Sequence, residues 1–175
     1  KNTAMLQRYL TMLSVIAIAT LIACNNDKKS TSQKTEVPFV NDLIPKPVIA
    51  TTDSGFFTLN ENTVITVDQG NKNLEGVAKY MASVFQPATG FALKTDSAAG
   101  SENTIAMSLV NDTSLANEGY ELKVTSNGIT LKANQPAGLF YGIQTIRQLL
   151  PAAIGKSTVQ SVAWQLPTCT IRDYP

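Results

Sequence analysis

Glu118-Gly119-Tyr120-Glu121-Leu122-Lys123-Val124, followed by Asn127-Gly128-Ile129-Thr130-Leu131-Lys132-Ala133 and then by Asn134-Gln135-Pro136 running on to Leu149-Leu150, is the stretch whose reading decides the fold. Tyr120, Leu122 and Val124 alternate with Glu121, Lys123 and Thr125, and Ile129, Leu131 and Ala133 alternate with Thr130 and Lys132. A pleated strand sends successive side chains to opposite faces, so each run reads as a strand with one apolar face. Asn127-Gly128 between them is the pair that accepts positive φ at both central positions of a type I′ turn, and a type I′ hairpin is expected there. The amide of Asn134 or Gln135 is placed to cap a helix, and Pro136 suits its first turn, where the N–H groups lack partners anyway. Leu139, Ile143, Ile146 and Leu150 then recur at spacings of three and four, Phe140 and Leu149 widen the stripe, and Pro151 marks the stop. The apolar face of this helix needs cover, and the hairpin is nearest.

Working outward, the 175 residues are 43% apolar and 15% charged, enough for one domain with a real core plus an extension. A formal charge of +1, with the 14 Lys and Arg scattered, argues against a phosphate-tracking surface and so against a nucleic-acid partner. There is no His. That removes the commonest metal ligand, the usual general base and the usual pH switch together, so catalysis in this chain would fall to carboxylates.

At the N-terminus Lys1 and Arg8 precede an apolar run from Leu10 to Ala23, which ends Leu21-Ile22-Ala23-Cys24 before Asn25-Asn26-Asp27-Lys28-Lys29. The run is shorter than the roughly twenty residues a membrane span needs, so residues 1–23 read as a secretion signal. Leu-Ile-Ala-Cys resembles the lipobox of bacterial lipoprotein signal peptides, with a plain secretory peptide as the alternative. The resemblance implies cleavage before Cys24, a lipid on Cys24, and an exported, membrane-anchored protein of the periplasm or cell surface. Removing Lys1 and Arg8 leaves 12 basic against 13 acidic residues, a net of −1. Cys169 is then without an intramolecular partner, and it reads as a small buried apolar residue. Residues 24–42, rich in Asn, Lys, Ser, Thr and Gln, read as a flexible polar tether, and the folded domain is expected over 43–175.

That domain opens with Leu43-Ile44-Pro45-Lys46-Pro47, stiffened into extended geometry by its prolines. Phe56–Leu59 and Thr63–Val67 read as strands, and Asn73–Gln86 as a helix with stripe Leu74, Val77, Ala78, Met81 and Phe85. Asn73 is its expected cap, and Pro87 with Gly90 its stop. Met81 reads as core. Phe91–Lys94, Thr104–Val110 and Ser161–Leu166, the last ahead of Pro167, read as further strands. This order, with a hairpin and no strict strand–helix alternation, predicts an α+β fold: two layers, a mixed, antiparallel-rich β-sheet with two main α-helices packed on one face.

The search for chemistry is mostly negative. No Gly-x-Gly-x-x-Gly, Walker loop, His-Glu-x-x-His, Cys-x-x-Cys or Gly-x-Ser-x-Gly occurs. Glu118 and Glu121 are the nearest thing to a carboxylate pair, but three apart on a strand they face opposite sides and read as solvated strand residues. Asp53 in Asp53-Ser54-Gly55 and Asp112 in Asn111-Asp112-Thr113-Ser114 read as turn residues bonding their own backbone. Gly138 and Gly142 fall on one side of the second helix and read as close-packing positions. Trp164 and Tyr174 have rings that stack on sugars, yet isolated aromatics near a domain end more commonly fill core or interface. No catalytic, cofactor-binding or metal-binding residue is assigned.

The same opening stretch carries a family resemblance. Glu118-Gly119-Tyr120-Glu121-Leu122, the turn, and Ala137-Gly138-Leu139-Phe140-Tyr141-Gly142-Ile143-Gln144-Thr145-Ile146-Arg147-Gln148-Leu149-Leu150 resemble the N-terminal domain of bacterial β-N-acetylhexosaminidases, glycoside hydrolase family 20. Leu43-Ile44-Pro45-Lys46-Pro47 resembles the family's lead-in, and Ile171-Arg172-Asp173-Tyr174-Pro175 the strand that runs into its catalytic barrel. The resemblance implies a mixed α+β leader domain, a downstream (β/α)₈ barrel as its partner in the same polypeptide, and removal of terminal N-acetylhexosamine there, without metal or organic cofactor. The family's catalytic pair belongs to the barrel, so none of its members maps onto these residues. The segment Ala163–Pro175, where the chain leaves the domain, is expected on the face toward the barrel. The alternative is a glycan-binding or structural surface lipoprotein without enzymatic activity.

Overall fold

The computed structural model describes residues 40–67, 71–97 and 102–175. The expected signal segment 1–23, Cys24 and all of the expected tether up to residue 39 lie outside these. The elements are β1 (Ile49–Thr58), β2 (Val64–Val67), α1 (Lys72–Thr89), β3 (Lys94–Asp96), β4 (Thr104–Leu109), β5 (Tyr120–Val124), β6 (Gly128–Ala133), α2 (Pro136–Leu149) and β7 (Gln165–Asp173), with short 3₁₀ turns at Val40–Asp42, Thr113–Leu115 and Ala152–Gly155. Val40 is 1% exposed, so core contacts begin three residues ahead of Leu43.

The seven strands form one sheet in the order β1-β7-β5-β6-β4-β2-β3. β1, β7, β5 and β6 pair antiparallel, while β6, β4, β2 and β3 pair parallel. The sheet is therefore mixed and the fold α+β, as the element order predicts. Both helices cover one face. On that face Tyr120, Leu122 and Val124 of β5 and Ile129, Leu131 and Ala133 of β6 are buried, matching the period-two pattern. Leu139, Ile143, Ile146 and Leu149 of α2 are 0% exposed against them, each burial stabilising by about 1.5–3 kcal/mol. Met81 and Phe85 of α1 are likewise at 0%.

The hairpin stands, but its turn differs from the type I′ expectation. Among the described residues positive φ occurs at Gly55, Gly90, Asn103 and Ala116, not at Asn127 or Gly128. Ser126 and Asn127 are the loop residues, and Thr125 closes the loop. Its N–H donates to the Gly128 carbonyl at 2.9 Å, and the Gly128 N–H donates to the Thr125 hydroxyl at 3.2 Å. Gly128 is needed for proximity instead of for φ, since a Cβ there would lie 2.9 Å from the Thr104 carbonyl oxygen of the parallel neighbour β4.

Several element ends also differ from the expectation. Asn71, not Asn73, caps α1, its side chain accepting from the N–H groups of Asn73 and Leu74. The helix continues through Pro87, because Ala88 and Thr89 are buried at 0% and 3%, and it ends at Gly90 with φ 76°. Gln135 occupies the cap position of α2 without a side-chain bond. β1 runs straight through Asp53-Ser54-Gly55, which is a register break in the pairing with β7 between Thr52 and Phe56, not a turn. β7 likewise passes the expected stop at Pro167, which pairs with Phe56 of β1 just before the β5 register begins at Cys169. A missing N–H breaks no β5–β7 bond at that position. β3 sits at Lys94–Asp96, later than the expected Phe91–Lys94.

Gly138 and Gly142 are close-packing residues, as expected. A Cβ on Gly138 would lie 2.2 Å from the Gly119 carbonyl oxygen, and one on Gly142 would lie 2.3 Å from Leu131 Cδ1. Gly138→Ala is therefore expected to lower stability by roughly 1–3 kcal/mol, because backbone must shift. That loss outweighs the ~1 kcal/mol by which alanine favours a helix over glycine. Gly142→Ala should cost less, since a side-chain methyl can yield. Urea titrations of both variants check the order, and an unchanged Gly138→Ala midpoint would show the contact to be loose.

Candidate functional site

The antiparallel register of β5 and β7 sets Tyr120 opposite Asp173, so β7 ends beside the start of β5. Tyr141, Gln144, Thr145 and Gln148, at helical spacing on α2, border the same place, and the lead-in from Leu43 to Val48 closes the third side. Together they line a groove of ≈ 510 Å³ with Glu118, Tyr174 and Pro175. The walls are tied to one another. The Ile44 N–H donates to Gln148 Oε1 at 3.0 Å and Gln148 Nε2 donates to the Ile44 carbonyl at 3.0 Å, while the Val48 N–H donates to Asp173 Oδ1 at 3.2 Å. The Ile44–Pro45 bond is cis.

The floor of the groove is sealed by Tyr120 and Thr145. Their hydroxyl oxygens are 2.6 Å apart and share a hydrogen bond, and the Thr145 hydroxyl also lies 3.4 Å from the Tyr141 carbonyl oxygen. Burial pushes the Tyr120 phenol up to about 12, with the Asp173 charge adding to it and the Thr145 bond opposing it. This is a structural hydroxyl, not a poised acid.

The residues singled out from the sequence do not converge on one site. Glu118 lies in the turn ahead of β5 and borders the groove, a correction to its placement on the strand. Glu121 is on the sheet face opposite the helices, 3.5 Å from Arg172, so it is an ion-paired residue and not simply a solvated one. Asp112 does cap a turn, the 3₁₀ segment Thr113–Leu115, and Arg172 joins it at 2.7 Å. The Ser114 hydroxyl and N–H hold its carboxyl below the ordinary value, and Arg172 adds to that. Asp53 is an exposed strand residue. Trp164 is 3% exposed and belongs to the core, and Tyr174 is a groove wall, 36% exposed. Cys169 is fully buried and unpaired, and burial, with Asp53 contributing, pushes its thiol up to about 12.

Sequence reasoning missed Arg172, Gln148 and Asp173, whose partners lie 60, 104 and 125 positions away. It also missed the use made of Asn134, which receives the Asp112 N–H on its Oδ1 and donates from its Nδ2 to the Ala116 carbonyl at 2.8 Å. The Asn-Gln-Pro context pointed to a cap, and no local pattern distinguishes a cap from a loop staple. Of the expected barrel-facing segment Ala163–Pro175, Gln165–Asp173 is a strand between β1 and β5, and Asp173 to Pro175 border the groove. Among the described residues no cluster of His, Cys, Asp or Glu could hold a metal ion, and no helix is long and apolar enough to cross a membrane.

The described residues thus form a seven-stranded mixed sheet backed by two helices, with a groove where the last strand runs out. Residues 40–174 match the family model for glycosyl hydrolase family 20, domain 2, and the chain belongs to that family. The fold matches Streptomyces plicatus N-acetyl-beta-hexosaminidase in complex with Thio-NAglucal at 34% identity and TM-score 0.71, covering 78% of this chain and 26% of that one. It matches the family 20 beta-N-acetylhexosaminidase of Streptomyces coelicolor at 34% identity and TM-score 0.72, covering 78% and 27%. A beta-hexosaminidase of Porphyromonas gingivalis is 27% identical over 162 residues, covering 92% of this chain. The chain spans about a fifth to a quarter of these relatives, 20% of the last.

The two buried acids make alkaline stability testable. For Cys169, ordinarily 9.0, and Tyr120, ordinarily 10.0, the folded values near 12 lie above the unfolded ones. The unfolded chain therefore loses these protons first. Stability is independent of both groups below about pH 9 and falls as pH rises from there toward 12, by about 1.4 kcal/mol per pH unit for each group once its unfolded form has ionised. Urea midpoints measured from pH 8 to 11 should fall from about pH 9, and Cys169→Ala should move the onset to about 10. An onset that stays at 9 in that variant would remove Cys169 from the account.

Proposed function

We propose that this chain is the non-catalytic N-terminal domain of an exported β-N-acetylhexosaminidase, and that it supports a catalytic (β/α)₈ barrel following Pro175 in the same polypeptide. The observation that carries this is the match of residues 40–174 to domain 2 of the family in a chain about a quarter as long as the hexosaminidases it resembles. Chemistry in the barrel would release terminal N-acetylglucosamine or N-acetylgalactosamine with retention. The substrate's own acetamide oxygen acts as nucleophile while a carboxylic acid protonates the leaving oxygen. That route uses no metal or organic cofactor. Leu21-Ile22-Ala23-Cys24 supports export and a lipid on Cys24, which would hold the enzyme at a membrane surface through the polar segment ahead of Val40.

The arrangement of polar groups favours support over reaction within the domain itself. Of the carboxylates named above, Asp112 and Glu121 are paired with Arg172, and Asp173 accepts from Val48. The full-length protein is expected to hydrolyse a chromogenic N-acetylglucosaminide, and residues 25–175 to show no turnover. Hydrolysis by the fragment would overturn the assignment of chemistry to the barrel. Titration calorimetry of the fragment with chitin oligosaccharides should be silent, and measurable heat of binding would favour a glycan-binding lipoprotein. Radiolabelled fatty acid should be incorporated into the wild type and lost in Cys24→Ala; equal labelling would remove the lipobox reading.

A further inference from the structure

We infer that Asn127 is a site of spontaneous deamidation, in which the Gly128 main-chain nitrogen attacks the Asn127 side-chain amide at a rate governed by the Thr125 hydroxyl. The loop that carries these residues joins β5 to β6 at the end of β5 away from the groove. The reaction needs no following domain and is independent of the proposed activity.

Asparagine loses its amide most readily ahead of glycine, because the incoming nitrogen then has no side chain beside it to obstruct closure of a five-membered ring. Asn127-Gly128 is the one Asn-Gly step in the 175 residues. Thr125, Ser126 and Asn127 are all exposed, so water reaches the loop. Packing fixes the glycine in place: a Cβ at position 128 would lie 2.9 Å from the Thr104 carbonyl oxygen. The close approach of β6 to β4 therefore carries a labile amide with it.

Both reacting groups are held by hydroxyls. The Ser126 hydroxyl donates to Asn127 Oδ1 at 3.2 Å, which stabilises the charge that develops on that oxygen when its carbon is attacked. The Gly128 N–H donates to the Thr125 hydroxyl at 3.2 Å, and the same hydroxyl donates to the Gly128 carbonyl at 3.0 Å. The nitrogen must give up this bond before it can react. Val124 with Ile129 is the first pair of the β5–β6 register, so turning one exposed side chain frees the nitrogen without opening that register. In the reaction the Gly128 nitrogen loses its proton to water and bonds Asn127 Cγ, while the bond from Cγ to Nδ2 breaks and the amide leaves as ammonia. Water then opens the ring at either carbonyl, giving an aspartate or an isoaspartate.

The product changes more than the charge. The Asn127 carbonyl accepts the Asn103 N–H at 2.6 Å, and the Asn103 carbonyl accepts the Val64 N–H at 3.2 Å. The Asn103 side chain bonds Asn60 at 2.9 Å and Thr63 at 2.7 Å. Asn103 holds φ 54°, a conformation that a residue with a side chain keeps only when its surroundings impose it. An isoaspartate routes the main chain through the former side chain, adds a methylene ahead of Gly128, and turns the carbonyl that holds Asn103 into a free carboxylate. The start of β2 loses its anchor with it. The new charge also falls in the pocket of ≈ 300 Å³ that Asn127 shares with Glu102, where like charges repel.

Peptide mapping of the protein aged in warm, mildly alkaline buffer is expected to find the amide at position 127 converted before that of any other described asparagine, in both product forms. Thr125→Val, close to isosteric, should speed the conversion by about fivefold, the factor an ordinary hydrogen bond supplies. Thr125→Ser should leave the rate near wild type, and Ser126→Ala should slow it. Protein carrying isoaspartate, separated by its charge, should unfold at lower urea than fresh protein, and Asn127→Asp, which keeps the main chain intact, should lose less. An amide at position 127 that survives ageing, or that converts later than other described asparagines, overturns the inference. Equal rates in Thr125→Val, Thr125→Ser and wild type overturn the part given to Thr125. So does an acceleration in Thr125→Val that comes with lost hydrogen-exchange protection across β5 and β6, since unfolding then accounts for it.

Discussion

The main chain of α2 rests directly on the turn that leads into β5, Gly138 against the Gly119 carbonyl, and most of the domain is set by that approach. At this distance the stripe Leu139, Ile143, Ile146 and Leu149 sinks fully into the sheet, and the next stripe round, Tyr141, Thr145 and Gln148, comes to the groove. Thr145 can then reach Tyr120 at 2.6 Å, and Gln148 can reach both backbone groups of Ile44. A side chain at position 138 would lift the helix and lengthen each of these bonds together. Hydrogen bonds weaken steeply beyond their ordinary length, so a shift too small to expose the core would still loosen the lead-in.

The face of the sheet away from the helices is organised by charge instead. Arg172 on β7 reaches Glu121 on β5 and Asp112 in the turn, and Asn134 holds the other side of that turn at Asp112 and Ala116. These partners are partly exposed, and an isolated surface pair of this kind contributes about 0–1 kcal/mol. Their value is geometric. They hold the 112–118 loop against the ends of β5 and β7, which keeps Gly119 where Gly138 can rest on it.

What was legible in the sequence was periodicity, and what was not was contact at long range. Tyr120, Leu122 and Val124, then Ile129, Leu131 and Ala133, declare two strands because one face of each is buried, and the α2 stripe declares its helix for the same reason. The turn between the strands was misread because Asn127-Gly128 is compatible with two explanations, positive φ and close packing, and only the position of Thr104 on β4 separates them. Pro87 and Pro167 were read as stops because proline removes an N–H. Neither stops its element, since buried Ala88 and Thr89 hold α1 together and Pro167 falls outside the β5 register. The groove was not legible at all. Its walls come from residues 43–48, 118–120, 141–148 and 173–175, and no local pattern announces that a strand will finish beside a lead-in more than a hundred positions earlier.

The same comparison explains why strongly shifted acids are a poor guide to function here. Perturbed groups mark active sites when burial is combined with a cleft and a charged partner arranged for a reaction. Tyr120 and Cys169 are shifted mainly by burial, one sealed beneath Thr145 and the other fully enclosed in the core. Asp112, shifted the other way, is held by a turn and an ion pair. All three belong to the internal satisfaction of the fold.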